Sequence, residues 1–199
     1  KQRERARNAQ TREVISVSDA TEVEHATQFA GYDHANLSDF ATSISAIVEG
    51  PDADFVIMPQ TPFYAEKGGQ VGDTGFIEIN GTAREVFDTK MDNAGHILHK
   101  VRKGVFKKDC IGTEVSVTVD IVRRRAIERH HSATHILHWA MRQVLGTHVR
   151  QAGSYVDPDR LRFDFTHFEG ITPQQLNEVE DLVNGAILDG LTITTEELP

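Results

Sequence analysis

Thr113-Glu-Val-Ser-Val-Thr-Val-Asp-Ile-Val-Arg-Arg-Arg-Ala-Ile-Glu-Arg-His-His-Ser-Ala-Thr-His135 is the stretch on which the architecture turns. Up to Val119 apolar and polar residues alternate, the period of a half-buried strand. From Ile121 onward the apolar positions Ile127, Ala133, Ile136, Leu137, Ala140, Met141, Val144 and Leu145 recur near 3.6 spacing, and Gly146 is a natural stop. The chain therefore divides near residue 121, with strands before it and a long helix after it.

Toward the N-terminus, short alternating runs occupy residues 43–48, 54–58, 75–79, 83–87, 96–101 and 113–119. Gly50-Pro51, Asn80-Gly81, Asn93-Ala-Gly95 and Gly112 separate them. Asn80-Gly81 suits a tight hairpin because both residues tolerate positive φ. Many short strands at this spacing predict a small barrel or sandwich over 13–120. Pro59 and Pro62 bracket a loop within it.

Toward the C-terminus, residues 160–166 alternate strictly, with Leu161, Phe163 and Phe165 on one face. Thr172-Pro173-Gln174-Gln175 reads as a capped helix start, and Leu176, Val179, Leu182, Val183, Ala186 and Ile187 form its apolar stripe as far as Gly190. The expected fold class is α+β: a small β-barrel module over 13–120, then an α+β module over 121–199. Residues 1–12 read as a helical linker, the end of an exposed helix.

A hydrophobic fraction of 39% and a charged fraction of 26% suit a folded globular chain. No apolar run approaches the ~18 residues that would cross a bilayer. Cys110 is the single cysteine, so no internal disulfide forms. The charged start, Lys1-Gln-Arg-Glu-Arg-Ala-Arg-Asn8, has no apolar segment behind it and is not a secretory signal. A cytoplasmic setting is expected.

Net charge is −9, yet residues 121–162 hold eight arginines against three acids. Residues 163–199 carry eight acids and no Lys or Arg. Positive charge thus gathers on the histidine helix, at Arg123, Arg124, Arg125 and Arg129 among others. Such a face can dock a nucleic acid in a salt-dependent way, or simply solvate the helix.

On that helix His131 and His135 are one turn apart and share a face. Two imidazoles so placed can hold one metal ion, as in zinc sites, or can be packed or solvated residues. The Glu of a metalloprotease H-E-x-x-H is missing, which argues against a peptidase. His138 lies near the same face and is a possible third ligand or a neighbour, while Cys110, His148 and His167 form no second paired motif. A second feature is the loop 60–75, rich in glycine around Gly68, Gly69 and Gln70, with Thr61 at its start. Glycines let a backbone approach a ligand closely, though an ordinary hairpin has the same composition. No Lys-Ser or Lys-Thr follows in the position a P-loop requires.

Taken in order, Thr61-Pro-Phe-Tyr-Ala-Glu, Gly68-Gly-Gln-Val-Gly-Asp73, His131-Ser-Ala-Thr-His135, Arg142-Gln-Val-Leu-Gly-Thr-His-Val149, Gln151-Ala-Gly-Ser154 and Leu161-Arg-Phe-Asp-Phe165 resemble the editing region of bacterial alanyl-tRNA synthetases through nearly the whole chain. Free-standing alanyl-tRNA editing proteins and, more distantly, the editing domain of threonyl-tRNA synthetases share the core. The resemblance implies that His131 and His135 are half of a zinc set whose other two ligands lie in a Cys-x-x-x-His motif beyond Pro199. It implies that Thr61 senses the hydroxyl of misattached serine, that Gly68, Gly69 and Gln70 cover the pocket as substrate-binding residues, and that Gln151 is the catalytic candidate. Lys67 and His130 stand where many relatives have a small polar residue and Asn.

The implied parent joins alanine to tRNA-Ala with ATP and magnesium in a region outside this chain. The implied role of this piece is hydrolysis of mischarged Ser- or Gly-tRNA, with the arginines of 123–129 on the tRNA backbone and no membrane partner. One methyl or hydroxyl gives only about 10–200-fold discrimination in an apolar pocket, so a second sieve is needed. Rival readings are a free-standing editing hydrolase, a non-catalytic tRNA-docking module and a metal-dependent hydrolase of small esters.

Overall fold

The computed structural model describes residues 23, 25–190 and 192. The linker expected over 1–12 lies outside the described residues. The chain divides into two units, one of Lys1–Ala65 with Gly72–Asp120, the other of Glu66–Val71 with Ile121–Pro199. No helix among the described residues is long and apolar enough to cross a membrane.

Among its described residues the first unit carries nine strands: β1 (Gln28–Phe29), β2 (Phe40–Ser43), β3 (Ala46–Glu49), β4 (Ala53–Ile57), β5 (Gln60–Thr61), β6 (Gly75–Ile79), β7 (Thr82–Met91), β8 (Ile97–Arg102) and β9 (Glu114–Val119). Seven of them form one antiparallel sheet in the order β2-β9-β6-β7-β8-β4-β3. β1 and β5 form a separate short parallel pair.

The seven-stranded sheet curls into a half-barrel, a coarser form of the expected barrel, with β2 and β3 as its unpaired edges among the described residues. Its two edge strands, β2 and β3, are joined by Ile44 and Ser45 alone. The Ile44 amide donates to Thr113 O at 3.1 Å, and Gly112 N donates back to Ile44 O. One residue later Ser45 N donates to Ile57 O at 2.8 Å. The chain thus changes partner at one corner, from the β9 side to the β4 side. A bend of this kind turns a corner where a continuous strand would have spanned residues 43–48.

Alternation places Val115, Val117 and Val119 of β9 and Ile77 of β6 in the interior. β4 is buried along its whole length, and Phe55 and Ile57 pack with Val48 and Leu98. Asn80 and Gly81, at φ 50° and 72°, make the two-residue link between β6 and β7. Positive φ at both positions matches the right-handed twist of the paired strands.

The second unit holds α1 (Ile121–Leu145), the antiparallel hairpin β10 (Gln151–Val156) and β11 (Leu161–Phe165), and α2 (Pro173–Leu188). Ala140, Met141, Val149 and Val179 are its buried centre, with Leu137, Val144, Phe163, Phe165, Leu182 and Val183 packed around them. The N-terminus of α2 carries a complete capping box: Gln175 N donates to Thr172 Oγ1 at 3.2 Å, and Thr172 N donates to Gln175 Oε1 at 2.9 Å. Gly146, at φ 110°, ends α1, its amide donating to Arg142 O.

Candidate functional site

Within the second unit the two motifs meet. Residues 66–71 run beside β10: Val156 N donates to Gly69 O at 2.8 Å and Val71 N to Val156 O at 3.1 Å. Lys67 and Gln70 exchange backbone bonds at 3.1 and 3.2 Å, which closes the tip of the loop. Gly69 sits at φ 87°, and a Cβ there would fall 2.5 Å from Ser154 O. Only glycine allows the strand this approach. Ser154 Oγ donates to Gly68 O at 3.3 Å and accepts from Gln151 Nε2 at 3.0 Å. Gln151 is exposed, and its amide steadies the serine that holds the loop.

Gln70 is 6% exposed, and its side chain reaches α1. Its Oε1 lies 2.6 Å from His131 Nδ1. The His131 ring stacks on that of His135, with centroids 5.1 Å apart and planes 27° from parallel. Burial, followed by the charge of a protonated His135, pushes the His131 pKa below its ordinary value of 6.5. Both influences favour the neutral imidazole, the form that ligates zinc.

The remaining histidines of the helix are occupied differently. His130 Nδ1 donates to Asp157 O at 2.8 Å, securing the β10–β11 turn. His138 leans on Phe163 with centroids 5.1 Å apart, and its Nε2 lies 3.5 Å from Val149 O. His138 is therefore a packing neighbour of the hairpin. Among the described residues no group of three His, Cys, Asp or Glu side chains gathers as a metal site. Two imidazoles on one helical face, one of them braced by an amide oxygen, would suit zinc as half of a ligand set.

The arginines sort by exposure. Arg124 is 4% exposed and faces Glu128 at 3.9 Å. Arg123 is half-buried, whereas Arg125 and Arg129 are exposed and one turn apart. These last two form the accessible part of the basic face.

Thr61 belongs to the first unit and has no exposed surface. Its Oγ1 lies 2.8 Å from Nε2 of His99, whose Nδ1 is 2.9 Å from Val56 O. A carbonyl only accepts, so Nδ1 carries the proton and the Thr61 hydroxyl donates to Nε2. Phe63 N donates to Thr61 Oγ1 at 3.2 Å. Burial pushes the His99 pKa down to about 4. Sequence reasoning passed over His99, although it shares the inward face of β8 with Ile97 and Val101, the register at which a polar residue needs a partner.

The base of the glycine loop is fixed in this unit as well. Tyr64 N donates to Asp73 Oδ2 at 2.8 Å, Asp73 N to Tyr64 O at 2.9 Å, and Thr89 Oγ1 to Asp73 O at 2.8 Å.

The family model for tRNA synthetases class II (A) matches residues 1–123. The chain belongs to this family. Alanine–tRNA ligase of Opitutus terrae is 45% identical over 94% of the chain, which covers 20% of that protein. Alanine–tRNA ligase of Acetivibrio thermocellus is 50% identical over 74% of the chain and 17% of its own length. That of Pseudomonas fluorescens is 42% identical over 98% of the chain and 23% of its own length. The chain thus spans about a fifth of the relatives it matches.

Proposed function

We propose that this chain is the proofreading part of an alanyl-tRNA synthetase, acting on Ser- or Gly-tRNA-Ala by hydrolysis of the aminoacyl ester. The observation that carries the reading is the meeting of Gln70, His131 and His135 in one unit, which joins the glycine loop to the histidine helix. The similarity to alanine–tRNA ligases supports the parent activity, ATP- and magnesium-dependent joining of alanine to tRNA-Ala in a region outside this segment. The setting proposed is the cytoplasm.

His131 and His135 would hold zinc, together with ligands outside the described residues. A bound zinc ion supplies Lewis-acid polarisation of the ester carbonyl. The protein's own groups orient and select. Gly68 and Gly69 let the loop backbone come close, and Ser154 with Gln151 fixes its position. Thr61 meets a hydroxyl-bearing ligand only as an acceptor, because its proton rests on His99; serine offers the donor and alanine none. Thr61 is fully buried, so a contact there requires the residues over it to part. Arg125 and Arg129 neutralise tRNA phosphates, which positions the acceptor end without reading sequence.

A second reading, a tRNA-docking module without chemistry of its own, draws support from the exposed Arg125 and Arg129 one turn apart on α1. Hydrolysis of Ser-tRNA-Ala by the full-length ligase separates the two. Loss of clearance in the His131→Ala/His135→Ala double variant, with tRNA binding retained, supports proofreading. Unchanged clearance in that variant refutes it.

A further inference from the structure

Gln70 is held more firmly than a residue that merely covers a pocket needs to be. Its own backbone is paired with Lys67 on both sides. The residues flanking it, Gly69 and Val71, are bonded to Val156. The close approach at Gly69 leaves this segment one path past Ser154. All of this fixed backbone delivers one side-chain atom, Oε1, to Nδ1 of His131 at 2.6 Å.

That contact has a chemical consequence. An amide oxygen only accepts, so His131 Nδ1 carries the ring proton and Nε2 keeps its lone pair. An amide turned the other way would present its NH2 group to Nδ1 and place the ring proton on Nε2, closing that nitrogen to a cation. We infer that Gln70 is a positioning residue that selects the Nδ1–H tautomer of His131 and presents Nε2 to a divalent transition metal. This rests on the proofreading reading for the identity of the cation, but the tautomer is set by groups present in the chain. Metal-bound imidazoles commonly depend on such a hydrogen bond from their other nitrogen for ring orientation and ligand strength.

The test reads the tautomer in the 199-residue chain and zinc binding in the full-length ligase, which carries the remaining expected ligands, each with the wild type and two variants. Gln70→Leu removes the acceptor at nearly constant volume, and Gln70→Glu keeps an oxygen against Nδ1. Nitrogen-15 spectra at pH 8, without metal, report the His131 tautomer directly. Zinc affinity is measured by competition with a chromogenic chelator. The expected result is an Nδ1–H tautomer in the wild type and in Gln70→Glu, a shift toward Nε2–H in Gln70→Leu, and zinc held about 10–100-fold more weakly by Gln70→Leu. Gln70→Glu should bind zinc at least as well as the wild type, which excludes a general loop defect.

A wild type that binds zinc with the Nε2–H tautomer overturns the role of Gln70 and leaves the proofreading reading intact. So does a Gln70→Leu variant with unchanged tautomer and affinity. A wild type with the Nδ1–H tautomer and no zinc uptake overturns the metal half of both.

Discussion

Acid should loosen the first unit through one residue, His99. Its folded pKa is about 4 against 6.5 for a free imidazole. Between those values the unfolded chain takes up a proton that the folded chain refuses, so stability falls as pH drops. The stabilisation associated with the neutral ring is fully present above pH 6.5 and is lost on the way down to pH 4. At 1.36 kcal/mol per pK unit, the loss is about 2 kcal/mol at pH 5 and about 3 kcal/mol at pH 4. The ring is completely buried, so solvent does not discount these figures.

Other groups titrate in the same range, and a reference that lacks only this proton site removes them. His99→Asn retains a donor toward Val56 O and does not titrate. The assay is urea unfolding at pH 7.5, 6.5, 5.5, 5.0 and 4.5, read by amide hydrogen exchange in β7 and β8, so that the signal belongs to the first unit. With a urea slope of about 1–3 kcal/mol/M, the wild-type midpoint should fall by roughly 1 M more than that of His99→Asn between pH 7.5 and 5.0. Parallel pH profiles for the two proteins would refute the assignment of a neutral, Thr61-bonded His99.

The other outcomes are more local. Thr61→Val leaves His99 Nε2 and Phe63 N without their partner and should cost about 1–3 kcal/mol, whereas Thr61→Ser keeps both bonds and should cost about 1 kcal/mol for the lost methyl; denaturant midpoints check both. Gly69→Ala should be at least ~2 kcal/mol worse than Gly68→Ala, since both have positive φ but only Gly69 faces backbone within van der Waals reach. Faster exchange across 66–71 in Gly69→Ala alone would accompany it. Arg125→Ala and Arg129→Ala should each lower the salt slope of tRNA binding by about 1, measured by filter binding from 50 to 300 mM salt. Arg124→Ala should leave that slope unchanged, because its guanidinium is buried against Glu128.

What the sequence discloses depends on whether a feature is local. The change of period at Ile121 marks a boundary of the two units because it follows from each residue's own neighbours. The capping box at Thr172 and the Asn80-Gly81 turn are legible for the same reason. The corner at Ile44–Ser45 is not: residues 43–48 alternate smoothly, and the break comes from competition between β9 and β4 for the same backbone. The membership of 66–71 in the second unit is equally non-local, since pairing with Val156 joins positions about eighty residues apart. His99 was readable as a polar residue on an inward register, but its partner was not, because Thr61 lies on a different strand.

The glycine-loop motif is best understood by asking where each polar atom is used. Thr61 gives its proton to His99 and accepts from Phe63 N. Asp73 accepts from Tyr64 N and returns its own amide to Tyr64 O. Gly69 makes room for Ser154. These residues are committed to holding a loop whose ends lie in one unit and whose tip lies in the other. Gln70 differs, because its side-chain oxygen bears on an imidazole beside a second imidazole. A chain that needed only a hairpin here could place any polar residue at position 70 and let it face water. Burying the Gln70 amide forfeits its hydration, and the loss is recovered only through the bond it makes to the exposed His131. The motif is accordingly a folding device around a single chemical contact, and substitution at Gln70 should change ligand chemistry at His131 more than it changes stability.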